Sequence, residues 1–160
     1  MTYNNAEGAY YDVNEGEKWT FSVESFRNNL RQARDSGKKV KCALVINPGN
    51  PGGYLLKENE IEEIIRTCYE ENLFLIADEA LQGNVTAPGA KFVSFRKVLM
   101  KMGEPFSTNL EMISLHSSSK GYIGECGIRG GYLETMNLDP FINHTIWKIK
   151  SQDSCANVAG

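Results

Sequence analysis

Two apolar runs separated by one amphipathic stretch constrain this chain more than anything else in it. Val40 to Ile46 is a nearly continuous apolar run, and Leu73-Phe74-Leu75-Ile76-Ala77 is a second. Between them, Glu58 to Glu71 carries Ile61, Ile64, Ile65 and Cys68 at helical spacing. Short apolar runs without alternation suit strands buried on both faces, the pattern of a parallel sheet. Two strands joined by one helix run parallel, with a right-handed crossover. The expected class is α/β, a mostly parallel sheet with flanking helices.

The rest of the chain extends that unit. After a polar lead bearing Tyr10, Tyr11 and Trp19, Ser22 is placed to cap a helix with Phe26, Leu30 and Ala33 on one face. Gly37, behind Asp35-Ser36, is placed to end it in the left-handed conformation. Pro48 and Pro51 close the first strand in a stiff loop. A loop from Gln82 to Ala90 follows the second strand, then a short helix around Phe95 to Met102. A third strand is expected over Met112 to Leu115 and a fourth over Gly130 to Glu134. The last amphipathic helix starts after Asp139-Pro140, with Phe141, Ile142, Ile146 and Ile149 as its apolar side.

At 160 residues the chain suits one domain with a real core. Its net charge is -3 and its basic residues are scattered among acids, so nucleic acid is not an expected partner. No apolar run approaches the ~20 residues of a membrane span, so no membrane is expected. The polar start, Met1 to Gly8, does not read as a signal peptide. Cys42, Cys68, Cys126 and Cys155 form no CxxC pair, and no metal is expected. Cys42 and Cys68 fall on apolar faces and read as buried, reduced thiols of a cytoplasmic chain.

Three polar knots stand where these strands end. Asn47-Pro48-Gly49-Asn50-Pro51 closes the first, Asp78-Glu79 the second, and Ser117-Ser118-Ser119-Lys120-Gly121 the third, with Arg129 nine positions after Lys120. The carboxyl ends of parallel strands are where an open α/β sheet binds ligands. Each knot also has a plain structural use. A lysine is usually solvated, an aspartate at a strand end caps the next turn, and serines or an asparagine between prolines form turns. Glu79 is the weaker acid candidate, since it can face a neighbouring helix. His116 reads as a packed or hydrogen-bonded residue and His144 as surface. Gly124, Gly127, Gly130 and Gly131 read as tight turns, because no GxGxxG opens a helix.

Together the knots supply an amine, a carboxylate, an amide, hydroxyls and a guanidinium. A buried, neutral amine suits Schiff-base chemistry with an aldehyde. A carboxylate holds a pyridinium nitrogen protonated, and hydroxyls with an arginine hold a phosphate dianion.

The order of the knots (Asn-Pro turn, Asp, Ser-x-x-Lys, Arg) resembles the fold-type I, pyridoxal-phosphate-dependent aminotransferases. The nearer branch is that of the alanine aminotransferases, which Val45 to Pro51, Leu75 to Glu79 and above all Lys120 to Tyr132 look like. The likeness begins around Tyr10-Tyr11 and continues past Asp139-Pro140. It implies pyridoxal 5'-phosphate as cofactor. By the same resemblance, Lys120 would hold the cofactor's aldehyde and shuttle a proton at the substrate's alpha carbon. Asp78 would pair with the pyridine nitrogen, and Asn50 would hydrogen-bond the phenolic oxygen. Ser117, Ser119 and Arg129 would hold the phosphate. The implied partners are small amino acids and 2-oxo acids, with L-alanine and 2-oxoglutarate going to pyruvate and L-glutamate. The family's proteins are usually homodimers.

Two local departures stand out. Gly52-Gly53 occupies the place of a threonine-glycine pair, and Leu81 that of a tyrosine. Leucine has no donor for the phenolic oxygen, and the adjacent Gln82 would need a shifted backbone to replace it. The family's proteins are also much longer. Residues 1–160 match the middle of their cofactor-binding large domain, without its glycine-rich phosphate loop or the small C-terminal domain. The expectation is a fragment that is weakly active or inactive alone. Two alternatives stay open: another fold-type I enzyme of amino-acid metabolism, or a non-catalytic piece that self-associates through apolar surface.

Overall fold

A computed structural model describes residues 6–17, 19–122 and 124–152, so Cys155 and the first five residues of the polar lead lie outside the described residues. Helix α1 (Val23–Asp35) begins where the Ser22 hydroxyl accepts the Ser25 N–H at 3.1 Å. It buries Phe26, Leu30 and Ala33, as their spacing predicts. Gly37 takes a φ of 84°, which lets the Lys38 N–H reach the Ala33 carbonyl at 3.1 Å and close the helix.

Strand β1 (Cys42–Ile46) leads through the proline loop to α2 (Glu58–Glu70), which buries Ile61, Ile64, Ile65 and Cys68. The start of α2 is fixed by the Lys57 N–H, which donates to the Glu60 carboxylate at 2.6 Å. Then come β2 (Phe74–Asp78), a tight turn at Gln82–Asn84, and α3 (Phe95–Met102), capped by Ser94. A single-turn α4 (Phe106–Asn109) precedes β3 (Met112–Ser117). A second tight turn, Cys126–Ile128, leads to β4 (Gly131–Met136) and α5 (Pro140–Gln152).

The sheet order is β1-β2-β3-β4, with the first three strands parallel and β4 antiparallel to β3. This is the α/β class expected. Ile46 pairs with Asp78 and Asp78 with Leu115, so the three parallel strands finish side by side. The core lies on one face, where Ala43, Val45, Leu75, Ala77 and Met112 meet α2 and α3. Burying a side chain the size of Ile64 or Leu75 contributes about 1.5–3 kcal/mol, and α2 supplies three such residues, Ile61, Ile64 and Ile65.

The opposite face departs from expectation. Strand β1 is the edge of the described sheet and alternates in and out; Leu44 is 45% exposed and Cys42 is also exposed. A continuous apolar run does not distinguish a strand covered on both faces from an edge strand, so the reading of Cys42 as buried fails. Cys68 is buried, and that burial pushes its thiol up to about 12. The apolar side read for α5 is also largely uncovered, with Phe141, Ile142 and Ile149 exposed. This helix meets the sheet through the Thr135 hydroxyl, which donates to Asn143 Oδ1 at 3.1 Å. No helix among the described residues is long and apolar enough to cross a membrane.

Candidate active site

The three polar knots fall on one rim of the sheet because their strands end in register. Asp78 is the last residue of β2, and its Oδ1 accepts the Ala80 N–H at 3.1 Å. The turn-capping use of this aspartate is therefore real, and it leaves the second carboxylate oxygen available. Ser117 ends β3 two residues beyond Leu115, the cross-strand partner of Asp78. Strand alternation puts Asp78 and Ser117 on the same face, away from the core helices.

The turn after β3 carries the amine. Ser117 Oγ accepts the Ser119 N–H at 3.2 Å, which brings the chain round to Lys120. Lys120 is exposed, so the burial that Schiff-base chemistry calls for is not supplied by the described residues around it. Asn50 is exposed in the loop after β1, two strands away from the lysine turn. It borders a cavity of about 630 Å³ lined by Tyr11, Trp19, Leu44 and Tyr54, which none of the other candidate residues lines.

Arg129 enters from the segment before β4. Its backbone is left-handed, with a φ of 55°, which costs about 1–2 kcal/mol for a residue with a Cβ. Strain of that kind gathers at ligand clamps. The Arg129 guanidinium donates to the Cys126 carbonyl at 3.0 Å. The return strand lies close to the lysine turn, since Gly131 pairs with Ser117 and a Cβ on it would stand 2.3 Å from the His116 carbonyl oxygen. The Ser118 hydroxyl fastens the same approach, donating to the Gly130 carbonyl at 2.8 Å and accepting the Gly130 N–H at 3.2 Å.

Other contacts at this rim were not legible in the sequence. The Gly121 N–H donates to Asn84 Oδ1 at 2.8 Å, joining the loop after β2 to the lysine turn. A Cβ on Gly83 would lie 3.2 Å from Gly121 Cα, so the two loops meet backbone to backbone. Gln82 donates to the Tyr132 hydroxyl at 2.8 Å, and the Tyr132 ring sits 5.0 Å from that of His116. Gln82, considered as a replacement for a tyrosine at Leu81, is thus engaged by Tyr132. Gln82 and Asn84 look like ordinary loop residues in sequence, and Gly83 between them was the one available signal. Among the described residues, no group of three or more His, Cys, Asp or Glu could hold a metal ion.

The fold is that of the fold-type I aminotransferases. The chain belongs to the family described as aminotransferase class I and II, whose model matches residues 1–146. Alanine aminotransferase 1 of Homo sapiens is 45% identical over 150 residues, covering 94% of this chain and 30% of that protein. Glutamate–glyoxylate aminotransferase 1 of Arabidopsis thaliana is 44% identical over 149 residues, covering 93% of this chain and 31% of that protein. The chain therefore spans just under a third of the length of these relatives. Among solved structures, the alanine aminotransferase from Pyrococcus furiosus superposes with a TM-score of 0.68 at 22% identity, covering 92% of this chain and 34% of that one. A PLP-bound putative aminotransferase from Clostridium difficile 630 gives 0.68 at 17% identity, covering 93% and 34%. At such identities these superpositions bear on the fold.

Proposed function

We propose that this chain is part of an aminotransferase that uses pyridoxal 5'-phosphate, bound at the rim formed by the ends of β1, β2 and β3. The observation that carries the reading is the placement of Asp78 and the Lys120 turn at the carboxyl ends of adjacent parallel strands. The donor set fits the cofactor at three points. Lys120 offers an amine to the aldehyde, Asp78 a carboxylate to the ring nitrogen, and Ser117, Ser119 and Arg129 donors to the phosphate. At the phenolic oxygen Asn50 is the candidate, since Leu81 has no donor.

When bound, the cofactor supplies the electron sink for chemistry at the substrate's alpha carbon. The chain's own residues do the rest. The Asp78 carboxylate keeps a proton on the ring nitrogen. Lys120 Nζ would move a proton between the substrate's alpha carbon and the cofactor, a general-base role that needs the reach of a flexible side chain. Arg129 offsets the phosphate charge.

The proposed reaction moves an amino group between L-alanine and 2-oxoglutarate, giving pyruvate and L-glutamate. Relatives named as alanine aminotransferases, 45–47% identical in the human and rat proteins, support it. The Arabidopsis relative at 44% identity supports a second reading, with glyoxylate as amino acceptor. Because the chain spans under a third of its relatives, we take residues 1–160 as a stretch of a larger cofactor-binding domain, in a protein that pairs as a homodimer.

Titrating the chain with pyridoxal phosphate beside Lys120→Ala tests the cofactor site. A saturable visible absorption band that the variant lacks supports the reading. No band, or an equal band in the variant, sinks it. Giving the loaded chain L-glutamate, then offering pyruvate or glyoxylate and assaying alanine against glycine, separates the two substrate readings.

A further inference from the structure

Glu79 follows Asp78 directly and is only 3% exposed. Its Oε1 accepts the N–H of Phe95, the first residue of α3, at 2.8 Å, and its Oε2 accepts the Ser114 hydroxyl at 2.5 Å. Its own N–H donates to the Leu115 carbonyl at 2.9 Å. One residue thus ties the end of β2 to β3 and to α3. Asn47 follows the end of β1, its N–H donating to the Asp78 carbonyl at 2.9 Å, and His116 follows Leu115 on β3. Each of these two residues has a buried nitrogen with no hydrogen-bond partner among the described residues, Asn47 Nδ2 and His116 Nδ1. Packing alone does not call for a carboxyl here, because an apolar side chain would fill the space without the cost of desolvation.

We propose that Glu79 is a positioning residue that fixes Asp78 relative to the turn bearing Lys120. The proposal rests on reading the rim as a cofactor site. Consecutive residues of an extended strand point to opposite faces. Glu79 therefore anchors the strand end from the helix side, while Asp78 presents its carboxylate on the other. Ser114 lies three residues before Ser117 on the strand that feeds the lysine turn, so the same carboxyl holds both halves of the rim. Cutting the anchor lets the end of β2 move against β3, and pre-organised sites lose binding when their supporting groups shift.

Three variants of the 160-residue chain test this. Glu79→Leu removes both side-chain bonds. Glu79→Gln keeps them, because its amide oxygen accepts from Phe95 and its amino group donates to Ser114 Oγ. Ser114→Ala cuts only the tie to β3, and it carries the test should Glu79→Leu fail to fold. The first readout is the backbone amide spectrum without cofactor. Signals of Asp78, Ala80, Ser119 and Lys120 should move in the Leu and Ala variants and return to their places in the Gln variant. Unmoved signals in a folded Leu or Ala variant overturn the proposal.

The second readout is the pyridoxal phosphate titration. The Leu and Ala variants should bind on the order of tenfold more weakly, with an altered visible circular dichroism of the band. The Gln variant should match the unsubstituted chain. Equal affinity and equal dichroism in all four proteins overturn the proposal. An unsubstituted chain with no Lys120-dependent band overturns the cofactor reading alone, because the amide spectra still decide whether Glu79 sets the rim.

Discussion

Asn84 Oδ1 accepts the backbone N–H of Gly121 at 2.8 Å, so the residue after Lys120 is held by the loop that follows Asp78. Asn84→Ala removes that acceptor. The expected loss is about 0.5–1.5 kcal/mol, the net value of one hydrogen bond near the surface. Urea denaturation would measure it, and faster hydrogen exchange at Gly121 would localise it. Unchanged exchange at Gly121 would show that the contact does not hold the turn.

Gly131 offers a harsher test of the same rim. An alanine there would put its Cβ 2.3 Å from the His116 carbonyl oxygen and 3.2 Å from Ser117 Cα. Both obstacles are backbone, so one strand must shift. Gly131→Ala should lower stability by roughly 1–3 kcal/mol, the usual range for overpacking. Gly83→Ala comes no nearer than 3.2 Å, to Gly121 Cα, with Tyr122 N next at 3.5 Å, and should cost less. Equal denaturation midpoints for Gly131→Ala and the unsubstituted chain would refute this account of the close approach.

The described cysteines should separate cleanly in a labelling experiment. Cys42 and Cys126 are exposed, whereas Cys68 is buried with its thiol pushed up to about 12. Because the thiolate is the reactive form, a brief alkylation of the native chain near neutral pH should modify Cys42 and Cys126 and spare Cys68. Peptide mass spectrometry reads the outcome. Alkylation of Cys68 at the rate of Cys42 would mean that α2 opens readily.

Glu79 also predicts a pH effect with a definite sign. Burial raises its carboxyl above the ordinary range, the charges of Glu134 and Asp78 add to that, and its bonds to Ser114 and Phe95 oppose it. A carboxyl raised on folding contributes stability that is fully present below its unfolded value, about 4.3. That contribution is lost as pH rises through the folded value. Glu79→Gln has no charge to bury, so it should gain stability relative to the unsubstituted chain as pH rises from about 4 towards neutrality. Denaturant midpoints across that range check it, and a difference that stays constant with pH would rule it out.

Local signals carried most of the fold. Ser22 and Gly37 bracketed α1, and the spacing of Ile61, Ile64, Ile65 and Cys68 marked the buried side of α2. The parallel pairing of β1 with β2 followed from the helix between them. What failed depended on neighbours far along the chain. Whether Leu44 or Phe141 is covered is decided by which elements lie over it, and no periodicity encodes that. The placement of Asp78, Ser117 and Lys120 at one rim was readable because each follows an apolar run that ends in register with the others. The contacts of Asn84, Gln82 and Glu79 were not readable, since each joins residues 16 to 50 positions apart through ordinary polar side chains.

Each pair of neighbouring strands in the described sheet is consecutive in the chain. No strand has to wait for a partner made later than its own successor. During synthesis, β2 has its place beside β1 before β3 exists, and β3 has its place before β4. The entropy of closing each pairing depends on one connection alone. The sheet can be built like a seam sewn from one end, and the residues of the rim join it in order: Asn50, then Asp78, then Lys120 and Arg129.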